Sequence, residues 1–163
     1  MTVGSAPADA WEGISSDSSF SLPQRLRFSA DYPAGTNSAN VLLSNNILPH
    51  TDDGISLATG ADASGFTRTS NEGTYTTTDP ANIVDRSTYR TYEFLWQAGS
   101  VGFFYGQNTT ATLTHTDNIP NEALKIWINN YQSATTMLVD WIALGKYVSP
   151  EPSITTWGSQ VTR

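Results

Sequence analysis

Residues 92–105, YEFLWQAGSVGFFY, form two apolar stretches separated by Ala98-Gly99. On both sides of this pair the side chains alternate with the two-residue period of a β-strand. Because Gly can adopt the positive φ that a tight turn requires, the stretch predicts a two-residue β-hairpin. The two predicted faces carry Tyr92, Phe94, Trp96, Val101, Phe103 and Tyr105 on one side, and Glu93, Leu95 and Phe104 on the other.

The same alternation recurs along most of the chain, whereas helical spacing is almost absent. It is found in QRLRFSADY at 24–32, SANVLLSNN at 38–46, ALKIWINNY at 123–131 and TMLVDWIALGKYV at 136–148. The weakly apolar segments GISLATG, SGFTRTS and GTYTTTD are predicted as short strands, with ordered loop as the alternative. The chain is therefore predicted to be all-β, with two antiparallel sheets packed face to face and about ten or more strands.

The length of 163 residues fits one domain with a substantial core and is too short for two ordinary domains. We predict a single domain at 1–148. Pro150 and Pro152 lack backbone donors and end the last strand near Val148, so residues 149–163 are predicted to be a proline-containing tail or linker.

The charge and composition exclude several classes of function. The net charge of -7 repels a phosphate backbone, so nucleic acid is not expected as a partner. No cysteine is present for a disulfide or a thiolate metal site. No apolar run is long enough to span a bilayer, so membrane insertion is not expected. The first residues lack the features of a signal peptide, and an exterior location would require a leader that is not present in this chain.

The segment from about residue 88 to 152 resembles the second half of the jelly rolls of concanavalin A-like lectins and glucanases, including laminarinase-type glucanases. Its successive pieces are a strand that ends in Trp96, an aromatic strand closed by Gly106, a strand with Asn129 near its end, and the pair Asp140-Trp141. The resemblance implies a two-sheet antiparallel jelly-roll β-sandwich. The ending DWIALGKYVSPEPS is also similar to jelly-roll modules of archaeal and bacterial surface proteins, which implies an extracellular or cell-surface location beside neighbouring domains.

Catalysis in the retaining glucanases of this superfamily uses two Glu and an Asp at alternate positions of one strand, because the two catalytic carboxyl groups must lie about 5 Å apart. This chain has no such strand. We therefore predict that it is not an enzyme. The histidines, His50 and His115, have no recognisable catalytic or metal motif nearby, and we predict ordinary surface or loop positions for both.

A binding surface is the remaining candidate. In ALKIWINNY, alternation places Leu124, Ile126 and Ile128 on a core face and Lys125, Trp127, Asn129 and Tyr131 on the other. Two aromatic rings with an amide between them form a flat apolar platform with hydrogen-bonding groups, which suits a sugar ring. By the resemblance, Glu93 and Phe104 also lie on an outer, often concave, face.

We therefore predict a non-catalytic carbohydrate-binding module that binds a polysaccharide or other glycan on that face. The alternative for Trp127 and Tyr131 is packing beneath a loop such as 80–87. The alternative for the whole chain is a structural or adhesive domain of a surface protein.

Asp140 is the one acidic residue in the last apolar stretch. Strict alternation places it on a face with Leu138, Ile142 and Leu144, where a half-buried carboxylate requires hydrogen bonds, a cation or a metal. The resemblance implies a structural Ca²⁺ bound by Asp140 and by backbone carbonyls. The alternative partners are backbone N–H groups near 11–14 or an arginine such as Arg25 or Arg27.

Overall fold

The computed structural model describes residues 2–3, 11–32, 39–47, 52–59, 65–79, 84, 88–131 and 136–148, and these contain twelve strands. The strands are β1 Thr2–Val3, β2 Trp11–Ser15, β3 Gln24–Asp31, β4 Ala39–Ser44, β5 Gly54–Thr59, β6 Gly65–Asn71, β7 Thr74–Thr78, β8 Arg90–Gln97, β9 Ser100–Tyr105, β10 Leu113–His115, β11 Lys125–Tyr131 and β12 Met137–Lys146. The predicted tail at 149–163 and the loop at 80–87, except Val84, lie outside the described residues.

The strands form two six-stranded sheets. Sheet A has the order β1-β12-β3-β8-β9-β10, and sheet B has the order β2-β11-β4-β5-β6-β7. All neighbouring strands pair antiparallel. The prediction of an all-β, two-sheet antiparallel sandwich is therefore confirmed. Within the described residues, no helix has the length and apolar character needed to cross a membrane.

The predicted hairpin is present as β8 and β9, which pair from Gln97 and Ser100 around a two-residue turn. The predicted strands between 54 and 79 are also confirmed, as β5, β6 and β7. β5 lies in the interior of sheet B and is buried along its whole length. Its sequence looked weakly apolar because Gly54, Ser56 and Ala58, which share one face, are small rather than hydrophobic.

The core lies between the two sheets, and its aromatic residues come mainly from β3, β8 and β9. Phe28 stacks on Tyr92, with ring centroids 5.3 Å apart, and meets Phe94 edge-on at 5.5 Å. Trp96 is fully buried, and its Nε1–H donates to the carbonyl oxygen of Pro120 at 2.9 Å. One of the two faces predicted for the hairpin, with Tyr92, Phe94 and Trp96, is therefore the face that lies in the core.

His115 connects the two sheets. It belongs to β10 at the edge of sheet A, only 3% of it is exposed, and its ring packs edge-on against Phe103. Its Nε2 lies 3.1 Å from the hydroxyl of Thr67, and its Nδ1 lies 3.0 Å from that of Thr69, both in sheet B. The prediction of a surface or loop position for His115 is wrong, because the LTH segment forms an edge strand whose last side chain points inward. His50 lies outside the described residues.

We expect the stability of the domain to fall when His115 is protonated. Burial lowers the pKa of the His115 imidazole, and the negative charge of Asp117 opposes this to a smaller extent. The unfolded chain, with a histidine pKa of about 6.5, then binds the proton more readily than the folded chain. The stabilisation from neutral His115 is complete above the pKa of the unfolded chain, and it is lost as the pH falls through the lower pKa of the folded chain.

Thermal unfolding between pH 5 and pH 8 tests this prediction. The melting temperature of the wild type should rise with pH more steeply than that of His115→Gln, because only the wild type carries the buried imidazole. The carboxylates contribute equally to both proteins, so the difference between the two slopes reports His115 alone. Equal slopes for the two proteins would contradict it.

The last strand departs from strict alternation. The register between β12 and β3 shifts between Val139 and Trp141, which marks a β-bulge at Asp140. Met137 and Val139 are buried before the bulge, whereas Trp141 is 42% exposed after it. Strict alternation would place Trp141 on the face of Met137 and Val139, but the one extra residue reverses the side on which the following side chains lie.

Candidate functional site

The outer face of sheet B, turned away from the core, is formed by alternate residues of its strands. The register places Trp127 opposite Leu42, Leu42 opposite Ser56, and Ser56 opposite Arg68. Leu42 and Ser56 are fully buried, while Trp127 and Arg68 are partly exposed. We call this surface the sheet B face, and it contains Lys125, Trp127, Asn129, Tyr131, Asn40, Leu42, Ser44, Ser56, Ala58, Arg68 and Tyr75.

Asn129 is a fixed, buried member of the sheet B face. Its Oδ1 accepts a hydrogen bond from Asn40 Nδ2 at 2.8 Å, and its own Nδ2 donates to the carbonyl oxygen of Ile47 at 3.0 Å. On its other side β2 approaches closely, since a Cβ added at Gly13 would lie 2.7 Å from the Asn129 Cβ. The amide therefore positions the neighbouring strands.

Trp127 and Tyr131 are the aromatic residues that β11 contributes to this face. The Trp127 Nε1–H donates to the carbonyl oxygen of Ser44 at 3.2 Å, which orients the indole while part of the ring stays exposed. Tyr131 stacks on Trp11 of β2, with ring centroids 4.8 Å apart. Lys125 begins the same strand and is also partly exposed. The structure therefore brings together the four predicted residues of β11.

Arg68 adds a cation to the sheet B face that alternation along single strands does not reveal. Its guanidinium lies 5.1 Å from the ring centre of Phe66 and 4.7 Å from that of Tyr75. Burial lowers the pKa of Arg68, although the charges of Tyr75 and Asp79 oppose this. Beside it, the Ser56 hydroxyl is buried and has no hydrogen-bond partner among the described residues. The only signal for this group was the alternation in SGFTRTS and GTYTTTD, which does not show that these strands are neighbours.

Glu93 and Phe104 lie on the opposite side of the sandwich. They are neighbours on the outer face of sheet A, where Glu93 also stands opposite Arg27. Glu93 is 5% exposed; its Oε1 accepts a hydrogen bond from Arg25 Nε at 2.7 Å, and its Oε2 forms an ion pair with Arg27, with 3.0 Å between Oε2 and Nε. The six predicted ligand-binding residues therefore form two groups on opposite faces.

Asp140 is exposed, since the β-bulge lifts it out of the apolar surroundings that strict alternation predicted. The predicted half-burial of Asp140 is therefore wrong, and its carboxylate does not need a partner to offset burial. Arg25 and Arg27, named as alternative partners, bind Glu93 instead. The described residues include no group of three or more His, Cys, Asp or Glu side chains placed to hold a metal. A Ca²⁺ ion at Asp140 stays a prediction that depends on the resemblance.

Several solved structures superpose on this sandwich. A β-glucanase of Bacillus licheniformis matches with a TM-score of 0.70 and 16% identity, over 83% of this chain and 72% of that one. A β-1,3-glucanase from Mycobacterium marinum matches with a TM-score of 0.67 and 13% identity, over 82% and 67%. A Crh5 transglycosylase in complex with NAG matches with a TM-score of 0.69 and 14% identity, over 89% and 72%. The chain has the concanavalin A-like jelly-roll fold.

No protein-family model and no curated protein sequence matches this jelly roll. Several of its structural neighbours are nevertheless named as enzymes, namely glucanases and transglycosylases. They contradict the prediction of a non-catalytic carbohydrate-binding module or structural domain and the prediction that the chain is not an enzyme.

A catalytic pair of carboxylates can come from one strand or from two different strands. In the described part of the chain no strand carries two acidic residues, as the sequence analysis expected. That observation excludes a pair on one strand only. Turns at one end of a sheet bring residues from different strands together, so a catalytic pair does not need a single strand.

Proposed function

We propose that this jelly roll is an enzyme that cleaves or transfers glycosidic bonds of a polysaccharide held along the sheet B face. The observation that carries the proposal is the combination of a glucanase-type frame with the partly exposed Trp127 on an outer sheet surface. A glycan partner is supported by the glucanase neighbours and by the neighbour solved in complex with NAG.

The chemistry of the sheet B face suits a neutral sugar chain. The indole of Trp127 offers an apolar surface to the C–H side of a pyranose ring. Lys125, two positions before it on the same strand, supplies donors for hydroxyl groups beside the ring. Because Asn129 and Ser44 already hold their neighbours through hydrogen bonds, the face is formed before the ligand arrives.

Cleavage of a glycosidic bond requires two carboxyl groups, one to protonate the departing oxygen and one to attack the anomeric carbon or to activate water. Asp52 and Asp53 precede β5, and Glu72 lies in the turn between β6 and β7, at the same end of sheet B as Lys125. Asp53 is buried, and its Oδ1 accepts the backbone N–H of Glu72 at 2.6 Å. We assign the reaction to the accessible pair, Asp52 and Glu72, and a positioning role to Asp53.

Turnover of soluble β-1,3-glucan, β-1,3-1,4-glucan and chitin oligosaccharides, followed as new reducing ends and as transfer products, tests the proposal. Trp127→Ala should raise KM about ten-fold or more, since loss of one aromatic contact removes binding to the substrate throughout the reaction. Trp141→Ala is the matched control, because Trp141 is exposed on the outer face of the other sheet.

The proposal fails if the intact protein turns over none of these substrates. It also fails if Trp141→Ala lowers kcat/KM as much as Trp127→Ala does, because the substrate would then not lie on the sheet B face. An extracellular or cell-surface location beside neighbouring domains, and a structural Ca²⁺ at Asp140, remain further proposals.

A further inference from the structure

The outer face of sheet A carries a cluster of positive charge that the proposed reaction does not use. Arg25 and Arg27 occupy alternate positions of β3 on this face, and Lys146 ends the adjacent strand β12. Lys146 stands opposite Gln24, the neighbour of Arg25, and lines the same groove as the two arginines, in a chain with a net charge of -7. Among the described residues near them, Glu93 is the carboxylate that partly offsets this charge.

Glu93 fixes the two guanidinium groups in a defined way. Arg25 donates its Nε–H to one oxygen of the buried carboxylate, and Arg27 forms an ion pair with the other. The side chain of Arg27 is nevertheless 47% exposed, and that of Arg25 is 34% exposed. Apart from this ion pair, Arg27 has no hydrogen bond or ion pair in the described part of the chain, so its two terminal nitrogens can bind a ligand. The ion pair with the buried Glu93 restrains the Arg27 guanidinium, which reduces the entropy lost on binding.

Grooves on both sides of the arginine pair make room for a ligand. The first has a volume of about 400 Å³, a floor formed by Ala143 and Gly145, and walls that include Lys146 and Tyr147. Space above Gly145 is open, because a Cβ added there would meet nothing within 4 Å. The second groove, of about 330 Å³, lies on the side of Glu93 and Phe104.

We propose that these grooves bind a carboxylate-bearing saccharide, with a uronate carboxylate on the terminal nitrogens of Arg27, its ring over Ala143 and Gly145, and Lys146 adding positive charge at the end of the groove. A planar carboxylate matches the fork of a guanidinium through two parallel hydrogen bonds. The apolar floor and Tyr147 suit the C–H face of a sugar ring, which distinguishes this ligand from an inorganic anion. Grooves on both sides of the arginines accommodate more than one sugar unit. The site is separate from the sheet B face and does not depend on the proposed reaction.

Isothermal titration of the intact chain with tri-galacturonate tests the inference, with galacturonate, galactotriose, sulfate and hexa-glutamate as comparisons. We expect tri-galacturonate to bind more tightly than the monomer and galactotriose not to bind in the grooves. Binding should weaken as salt increases, because the contact is between charges near the surface.

Arg27→Gln is expected to raise the dissociation constant of tri-galacturonate about ten-fold or more, and Arg27→Lys to give an intermediate value, because Lys keeps the charge and loses the fork. Lys146→Gln should raise it about three-fold. Lys146 is exposed, so this second variant stays informative if Arg27→Gln disturbs folding through Glu93. Trp127→Ala should leave this binding unchanged.

The inference is overturned if the Lys146→Gln and folded Arg27→Gln proteins keep the wild-type dissociation constant. If sulfate binds as tightly as tri-galacturonate, the grooves do not select a planar carboxylate and the inference is wrong. If hexa-glutamate binds as tightly, the ligand of the grooves is an acidic peptide and not a saccharide. A protein that turns over glucan but binds no uronate refutes this site alone, whereas one that binds uronate without turnover refutes only the proposed function.

Discussion

Replacing Trp96 by Ala is expected to lower the free energy of unfolding by about 3–5 kcal/mol. Trp96 is fully buried between the sheets, so the substitution removes its packing and leaves a cavity that the surrounding strands fill only in part. It also removes the donor that binds the carbonyl oxygen of Pro120 at 2.9 Å. Since domains of this size are stable by about 5–15 kcal/mol, this loss is a large share of the total.

Urea unfolding measures this effect as a lower midpoint at an unchanged denaturant slope. Trp141→Ala is the matched control, and because Trp141 is 42% exposed it should change stability by about 0.5 kcal/mol or less. Trp96→Phe keeps most of the ring volume and loses the donor, so it should fall between the two. An equal cost for Trp96→Ala and Trp141→Ala would show that Trp96 does not hold the sheets together.

Alternation was sufficient to predict the strands of the core. Phe94, Trp96 and Phe103 lie on the predicted face because β8 and β9 are regular and paired from a two-residue turn. The same reasoning was wrong for β12, because a bulge inserts one residue and reverses the side of everything after it. A bulge leaves no mark in a two-residue pattern, so the exposure of Asp140 and Trp141 could not be read from the sequence.

The candidate site was predicted only strand by strand. Residues on one strand, such as Trp127 and Asn129, were correctly placed together. Glu93 was grouped with them, although β8 belongs to the other sheet and Glu93 binds Arg25 and Arg27 there. Alternation states which residues share a side of a strand, but the assignment of strands to sheets depends on contacts between residues distant in sequence. Arg68 was missed for the same reason, since its aromatic neighbour Tyr75 comes from another strand.

The two proposed catalytic carboxylates come from different elements of sheet B, and their role can be tested directly by substitution. Asp52 precedes β5, and Glu72 occupies a turn between β6 and β7. Glu72 has a positive φ of 51°, and the buried carboxylate of Asp53 holds its backbone N–H. Such a backbone conformation in a residue other than Gly persists where the surroundings impose it. The turn therefore fixes the backbone of Glu72 at the end of sheet B that also carries Lys125.

Glu72→Gln and Asp52→Asn are each expected to lower kcat about 10²–10⁴-fold, because each amide removes a group that transfers a proton or attacks the sugar. Both changes keep the shape of the side chain, so the melting temperature should stay close to that of the wild type. Asp53→Asn keeps an oxygen that can accept the N–H of Glu72 and should retain most activity, which separates positioning from catalysis. Glu122→Gln, at an exposed position before β11, is the matched control. If the wild type turns over a glucan and both Glu72→Gln and Asp52→Asn keep its kcat, the catalytic carboxylates belong to another part of the chain and this assignment is refuted.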